Sequence, residues 1–145
     1  NTKVVHGSFS EIYNMALNRE IHVVNMAKTP DRLNHFYFPQ PFSYERDEIY
    51  GKRESMHVQD VYGLEGKKVA VIDGFWHEEY LFKNLREVEI IKTKSVEESI
   101  SKVDKGEADY FIENPTVADF YIQGLGYTSI IKKEVPPLIH FYILV

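Results

Sequence analysis

The sequence predicts an α/β fold, and three observations support this prediction. Short apolar runs, several of them bounded by glycine or asparagine, alternate with segments of helical periodicity between residues 65 and 131. The 145 residues are 43% apolar and 27% charged, which is ordinary for a globular protein. Strand–helix–strand units of this length pair their strands in parallel through right-handed crossovers. The region is therefore predicted to be a small, mostly parallel sheet flanked by helices.

Four strands and three helices are predicted in this region. The strands are 67–74 (ending in a glycine turn), 88–91, 108–112 and 128–131, and the helices are 77–85, 96–105 and 115–123. Ser95 followed by Glu98 is a capping-box pattern, and Gly106 is the expected C-cap of that helix. Asn114 before Pro115 is predicted to cap the next helix.

The first third of the chain has a less regular pattern. Its predicted elements are a strand at Val4-Val5, a helix at 8–17 with Ser8 as its cap, a strand at 21–25, a helical turn at 29–32 and an extended segment at 36–44. Two further strands, 47–52 and 138–145, are expected to run between the two regions. The second is so apolar that it must pair with another strand.

Composition narrows the classes of function. The net charge of −5 argues against nucleic acid as a partner, because phosphate binding requires a basic face. No apolar run approaches the length of a membrane span, so a membrane is expected only through flanking segments. The absence of cysteine excludes thiolate zinc sites and cysteine nucleophiles. No metal, cofactor or catalytic residue is expected, because the sequence contains no HExxH, dinucleotide-binding or nucleophile-elbow motif.

Three stretches then carry a resemblance. They are TPDR at 29–32 followed by FPQPF at 38–42, LEGKKVAVIDG at 64–74, and VDKGEADYFIEN at 103–114. In this order they resemble the family-three periplasmic solute-binding domain, or Venus flytrap, especially the sensor type found in histidine kinases and cyclic-dinucleotide enzymes. The resemblance implies a type II periplasmic-binding-protein-like fold of two lobes joined by hinge strands at 47–52 and 133–141.

The resemblance also implies how the chain divides. Residues 1–48 would form a partial first lobe, 49–136 the second lobe with its core at 64–131, and 137–145 a strand returning to the hinge and first lobe. A complete member of the family has a further strand, helix and strand before Asn1 and a further helix after Val145. The first lobe is therefore expected to be incomplete, or to be completed by another chain in a homodimer.

The function that the resemblance implies is extracytoplasmic binding or sensing of a small polar solute, such as an amino acid or carboxylate, by hinge closure. The domain would serve a signalling protein or a transport system on the periplasmic or extracellular side of a bacterial membrane. Two alternatives stay open: an interaction fragment without a small ligand, and a dehydratase-like enzyme on the same fold. No His–carboxylate pair stands out in the sequence, so catalysis is not predicted.

Six residues are predicted to bind the ligand. The resemblance implies that Arg32 clamps a carboxylate, as a guanidinium fork can; the alternative is a solvated arginine that pairs with Asp31 or Glu45. Asn25 and Lys28, in the loop before Arg32, are further candidates.

The other three candidates lie at predicted strand ends. Phe75 and Trp76 follow the Gly74 turn, where Trp76 would stack on a ring or an apolar ligand unless it packs on the sheet edge. Asn114 stands where the family's amino-acid receptors often carry an acid, and its alternative role is a plain N-cap. Strand alternation is expected to turn Glu113 away from the side of Asn114.

Overall fold

The computed structural model describes residues 1–41, 43–55, 58–133 and 138–144. Its helices are α1 (Phe9–Leu17), α2 (Trp76–Asn84), α3 (Val96–Asp104) and α4 (Pro115–Gly124). Its strands are β1 (Asn25–Ala27), β2 (Ser43–Lys52), β3 (Lys68–Ile72), β4 (Glu89–Thr93), β5 (Tyr110–Glu113), β6 (Ile130–Lys132) and β7 (Leu138–Leu144). Short 3₁₀ turns occur at Arg32–Asn34 and Val61–Leu64.

The chain forms two compact units. The first comprises Asn1–Glu45 and His140–Val145, and the second comprises Arg46–Ile139. The chain passes between them within β2 and again within β7. In the described residues no helix is long and apolar enough to cross a membrane.

The sheet of the second unit is built around β3, which pairs in parallel with β4 on one side and β5 on the other. Strand β2 pairs antiparallel with both β5 and β6. Strands β3, β4, β5 and β6 therefore all run in the same direction, and β2 lies between β5 and β6 against that direction. Among the strands described for this unit, the prediction of a mostly parallel sheet is confirmed.

The helices of this unit begin where local sequence signals place them. The Ser95 hydroxyl accepts the Glu98 backbone N–H at 3.2 Å and caps α3. The C-cap of this helix is Lys105. Gly106 follows the cap and has a left-handed backbone, with a φ of +76°. Such a left-handed backbone costs glycine little because it has no Cβ.

The core of the second unit lies between the sheet and helices α3 and α4. It contains Tyr50, Ala70, Ile100, Val103, Ala108, Phe111, Ala118, Ile122 and Ile130. The rings of Tyr50 and Phe111 stack with centroids 5.0 Å apart, and this contact joins β2 to β5. Full burial of each large apolar side chain stabilises the fold by roughly 1.5–3 kcal/mol.

The first unit combines α1 with strands β1 and β7. Ser8 and Glu11 form both hydrogen bonds of a capping box, as predicted for this helix. Strands β1 and β7 pair antiparallel, with Met26 opposite Ile143. Met26 is fully buried and forms a small core with Ala16 and Val24.

Two predictions for the first third of the chain are wrong. Val4 and Val5 form no strand; Val4 is 69% exposed, and two β-branched residues without a described partner strand gain too little from pairing. The predicted strand at 21–25 instead occupies Asn25–Ala27, because this register buries Met26 and Ala27 beside β7. Val145, the last residue of the predicted final strand, lies outside the described residues.

Candidate functional site

Arg32 lies in the turn after β1 and is buried, with 5% of its surface exposed. Its Nη1 donates to the Ala27 carbonyl at 2.8 Å. The guanidinium carbon is 5.0 Å from the ring centroid of Phe9 and 5.5 Å from that of Tyr13, both on α1. Arg32 is therefore not the solvated arginine of the alternative interpretation. Its guanidinium is held in one orientation by a carbonyl and two aromatic faces.

Asn25 and Lys28 lie at opposite ends of the same short strand, β1. Asn25 begins β1 opposite Leu144, and Lys28 follows directly after its last residue, Ala27. Both are exposed. The fold thus places the three predicted ligand residues of the first unit around Ala27, whose carbonyl accepts the Arg32 hydrogen bond.

The first unit also carries a groove of about 610 Å³. Its lining comes from the end of α1 and from residues 21–24 and 34–37. Arg32, Asn25 and Lys28 are not among the described residues that line it.

In the second unit, Phe75 and Trp76 mark the start of α2. Phe75 is the N-cap residue and is partly exposed. Trp76 is only 7% exposed, and its ring lies 4.6 Å from that of His77 and 5.4 Å from that of Tyr80, measured between centroids. Most of the indole is therefore already in contact with protein, as the packing alternative describes. The ligand role of both residues stays a prediction.

Asn114 caps α4. Its Oδ1 accepts the Thr116 N–H at 2.9 Å, which is the N-cap geometry expected from the sequence. Its own backbone N–H donates to Glu113 Oε1 at 2.8 Å. The capping role is thus confirmed, and its role toward a ligand stays a prediction.

Sequence reasoning missed a buried group of ionisable side chains. His77 Nε2 lies 2.6 Å from Asp47 Oδ2, and the two residues are 1% and 3% exposed. Glu113, at the end of β5, is 7% exposed. We refer to Asp47, His77 and Glu113 as the buried trio. Asp47 on β2 and His77 on α2 are separated by 30 positions, so no local sequence pattern indicates their contact.

The electrostatics of the buried trio are unusual. Burial raises the pKa of the Glu113 carboxyl, and the charge of Asp47 adds to this effect. The charge of His77 and the Asn114 N–H act in the opposite direction. The Nδ1 atom of His77 is buried and has no hydrogen-bond partner among the described residues. Across these described ranges no group of three or more His, Asp or Glu side chains is arranged to hold a metal ion.

Comparison with known proteins gives matches in structure only. No protein-family model and no curated protein matches the chain. Holo ArgBP from T. maritima matches with a TM-score of 0.82 and 18% identity, over 98% of this chain and 63% of that one. AbpA from Streptococcus pneumoniae bound to L-arginine matches with a TM-score of 0.81 and 17% identity, over 98% and 61%.

A third match is a histidine kinase sensor domain with similarity to periplasmic binding proteins. Its TM-score is 0.79 at 18% identity, over 95% of this chain and 61% of that one. The fold is that of the periplasmic binding proteins. This confirms the predicted fold class, and the chain spans 61–63% of the length of these three structures. At such identities the likeness establishes the fold alone.

Proposed function

We propose that the chain binds a small polar solute, an amino acid or a carboxylate, as the sensing or transport-associated part of an extracytoplasmic bacterial protein. The observation that carries this proposal is the buried, oriented guanidinium of Arg32 within a periplasmic-binding-protein fold. The structural neighbours named above are binding and sensor proteins, which supports binding rather than catalysis.

The environment of Arg32 suits carboxylate recognition. Arg32 is buried, and its guanidinium lies against the rings of Phe9 and Tyr13, which gives the cation a defined position. A guanidinium forms two parallel hydrogen bonds to a carboxylate, which a lysine cannot match. Because the Ala27 carbonyl already fixes its orientation, less side-chain entropy is lost when a ligand binds.

The other predicted residues complete the proposal. Asn25 and Lys28 would contribute polar groups from the first unit, and Phe75, Trp76 and Asn114 would contribute from the second. Asn114 brings no negative charge, which favours a carboxylate over a ligand that needs its ammonium group neutralised. Residues 1–48 and 49–136 would act as lobes, and 137–145 as the returning strand. Ligand would stabilise a closed form by its greater affinity for that form.

Catalysis is the weaker proposal for this chain. The pair Asp47 and His77 is the His–carboxylate arrangement that an acid–base enzyme requires. However, the structural neighbours named above are binding and sensor proteins, so they lend catalysis no support. We therefore assign the pair no role in chemistry on a substrate.

A thermal-shift screen tests the proposed function. The folded chain is heated alone and with single amino acids, dicarboxylates and other small metabolites; a ligand at one hundred times its Kd stabilises by about 2.7 kcal/mol. Arg32→Ala should abolish the shift, and Arg32→Lys should weaken it strongly. Arg86→Ala is the matched control because Arg86 is exposed. Circular dichroism confirms that each variant folds.

Two results would contradict the proposal. If the folded wild-type chain shows no shift with any compound, it does not bind these solutes. If a ligand is found and Arg32→Ala binds it with unchanged affinity by calorimetry, the carboxylate role of Arg32 is wrong.

A further inference from the structure

The buried trio is the least expected feature of the second unit. Asp47, His77 and Glu113 are each more than nine-tenths buried, although Asp and Glu are rarely buried unless paired. Asp47 Oδ2 and His77 Nε2 share a hydrogen bond of 2.6 Å. Glu113 is bonded to the Asn114 N–H at 2.8 Å, but this donor is neutral. One carboxylate of the trio therefore lacks a full opposite charge of its own.

The charge of the trio changes when Glu113 gains a proton. An ionised Glu113 places a carboxylate in a buried site beside Asp47, where an unbalanced charge is costly. Protonation of Glu113 removes that charge without a change in the hydrogen bond between Asp47 and His77. The protonated carboxyl is also a weaker acceptor for the Asn114 N–H than a carboxylate is.

Each member of the trio lies where one structural element or unit begins or ends. Asp47 lies on β2 just beyond the point where the chain enters the second unit. His77 is the second residue of α2 and contacts the indole of Trp76. Glu113 ends β5 immediately before Asn114, the cap of α4.

From this geometry we propose that Asp47, His77 and Glu113 form a proton-linked switch, in which uptake of one proton by Glu113 stabilises the second unit and alters the starts of α2 and α4. The burial of Glu113 supports this direction, since it raises the pKa of the carboxyl above its ordinary 4.5. The charged and titratable groups around Glu113 are His77 on α2 and Asp47 on β2. The charge of Glu113 also acts on Tyr50 of β2, as do the charges of Asp119 and Glu48. Glu48 is the residue opposite Glu113 in the sheet.

The sign of the pH effect follows from linkage. In the folded chain Glu113 binds its proton at a pH where the unfolded chain does not. The free energy of unfolding therefore rises as the pH falls from neutral through the raised pKa, and levels off below the ordinary value of 4.5. This contribution is lost as the pH rises, opposite to the behaviour of a carboxylate in an ordinary ion pair.

The ligand-free chain tests the switch. Melting temperatures are compared between about pH 8 and about pH 5 for the wild type, Glu113→Gln and the matched control Glu87→Gln, whose side chain is exposed. Glu113→Gln mimics the protonated carboxyl and should be more stable than the wild type at the higher pH, with the difference vanishing at the lower pH. Glu87→Gln should follow the wild type throughout.

Carbon-13 NMR of the Glu113 carboxyl supplies an independent readout. Its titration midpoint should lie above that of the exposed Glu87 in the same spectrum. His77→Gln should raise the midpoint further, because the charge of His77 lowers the pKa of Glu113. A merely structural role for His77 would not produce this displacement. If a variant does not fold, the titration midpoints of Glu113 and Glu87 in the wild type decide whether the proposal holds.

Three outcomes would overturn the proposal. One is a Glu113 midpoint equal to that of Glu87. The second is a parallel pH dependence of the melting temperature in wild type and Glu113→Gln. The third is a Glu113 midpoint that does not move in folded His77→Gln. Because no ligand is used, each outcome is independent of whether the proposed solute binding is correct.

Discussion

The buried contact between Asp47 and His77 should contribute far more to stability than an exposed pair of the same geometry. The chain contains a suitable comparison on α2, where Lys83 Nζ lies 2.7 Å from Glu79 Oε1. The side chains of Asp47 and His77 are 5% and 2% exposed, whereas those of Glu79 and Lys83 are 24% and 52% exposed. The two pairs thus have nearly the same N–O distance, and they differ in how far their side chains are buried.

The expected magnitudes follow from burial. At equal distance, an effective dielectric of about 20 rather than about 80 makes the attraction roughly four times stronger. Removal of one partner also leaves the other charge buried without compensation, which costs about 3–5 kcal/mol. An exposed i,i+4 pair contributes only about 0.3–0.5 kcal/mol. We therefore expect His77→Gln to lower the free energy of unfolding by about 3–5 kcal/mol, and Lys83→Gln by less than about 0.5 kcal/mol.

Urea unfolding with two double-mutant cycles measures both energies. The buried cycle combines Asp47→Asn with His77→Gln, and the exposed cycle combines Glu79→Gln with Lys83→Gln. Fluorescence of Trp76, the only tryptophan, follows the second unit selectively. The coupling energy of the buried pair should exceed about 1 kcal/mol, within the range for residues in direct contact. A buried coupling equal to or below the exposed one would refute the reasoning that burial determines the strength of this pair.

Two further predictions concern local structure, and both are measured as urea midpoints with unchanged slopes. Ser95→Ala should cost about 1 kcal/mol because it removes the hydroxyl that caps α3; an unchanged midpoint would show that this cap contributes nothing. Gly51→Ala should destabilise by about 1–3 kcal/mol, because a Cβ there would lie 2.7 Å from Cδ1 of Tyr110. Gly124→Ala is its control: the helix surface is open there, and a gain of about 0.4–1 kcal/mol is expected. Equal effects of the two glycine substitutions would contradict the steric argument.

The elements that the sequence predicted well are those specified by neighbouring residues. Ser95 and Asn114 both cap their helices through side-chain oxygens that accept a nearby backbone N–H. Such contacts span two or three positions, so a local pattern suffices to find them. The parallel arrangement of β3, β4 and β5 was likewise predictable, because short crossovers leave few alternatives.

The features that the sequence did not predict depend on long-range pairing. Strand β1 is displaced from the predicted 21–25 because its pairing with β7, more than a hundred positions away, selects the residues that it buries. Likewise, no local pattern indicates that Arg32 is buried, since the aromatic faces that cover it belong to α1. Sequence identified Arg32 as a candidate only through its resemblance to a family motif.

The buried trio shows the same limit most clearly. Asp47 belongs to a strand predicted only as a connection, and His77 was one of six histidines without a recognisable spacing. They meet across 30 positions, between β2 and α2, and the pairing of β2 with β5 places Glu48, the neighbour of Asp47, opposite Glu113. Sequence offered one partial signal, namely a histidine in the first turn of a helix that follows a glycine turn at a strand end.

The position of the trio argues that it is more than scaffold. Replacement of a buried ionic group by apolar residues of similar volume is often neutral or stabilising. Stability alone therefore does not explain three buried ionisable side chains in one core. Perturbed ionisable groups instead concentrate at functional sites. Each member of the predicted ligand set in this unit adjoins the trio in sequence: Phe75 and Trp76 precede His77, and Asn114 follows Glu113. In the proposed switch, a proton bound by Glu113 acts on the start of α4 through the Asn114 N–H, and His77 links the trio to the indole of Trp76.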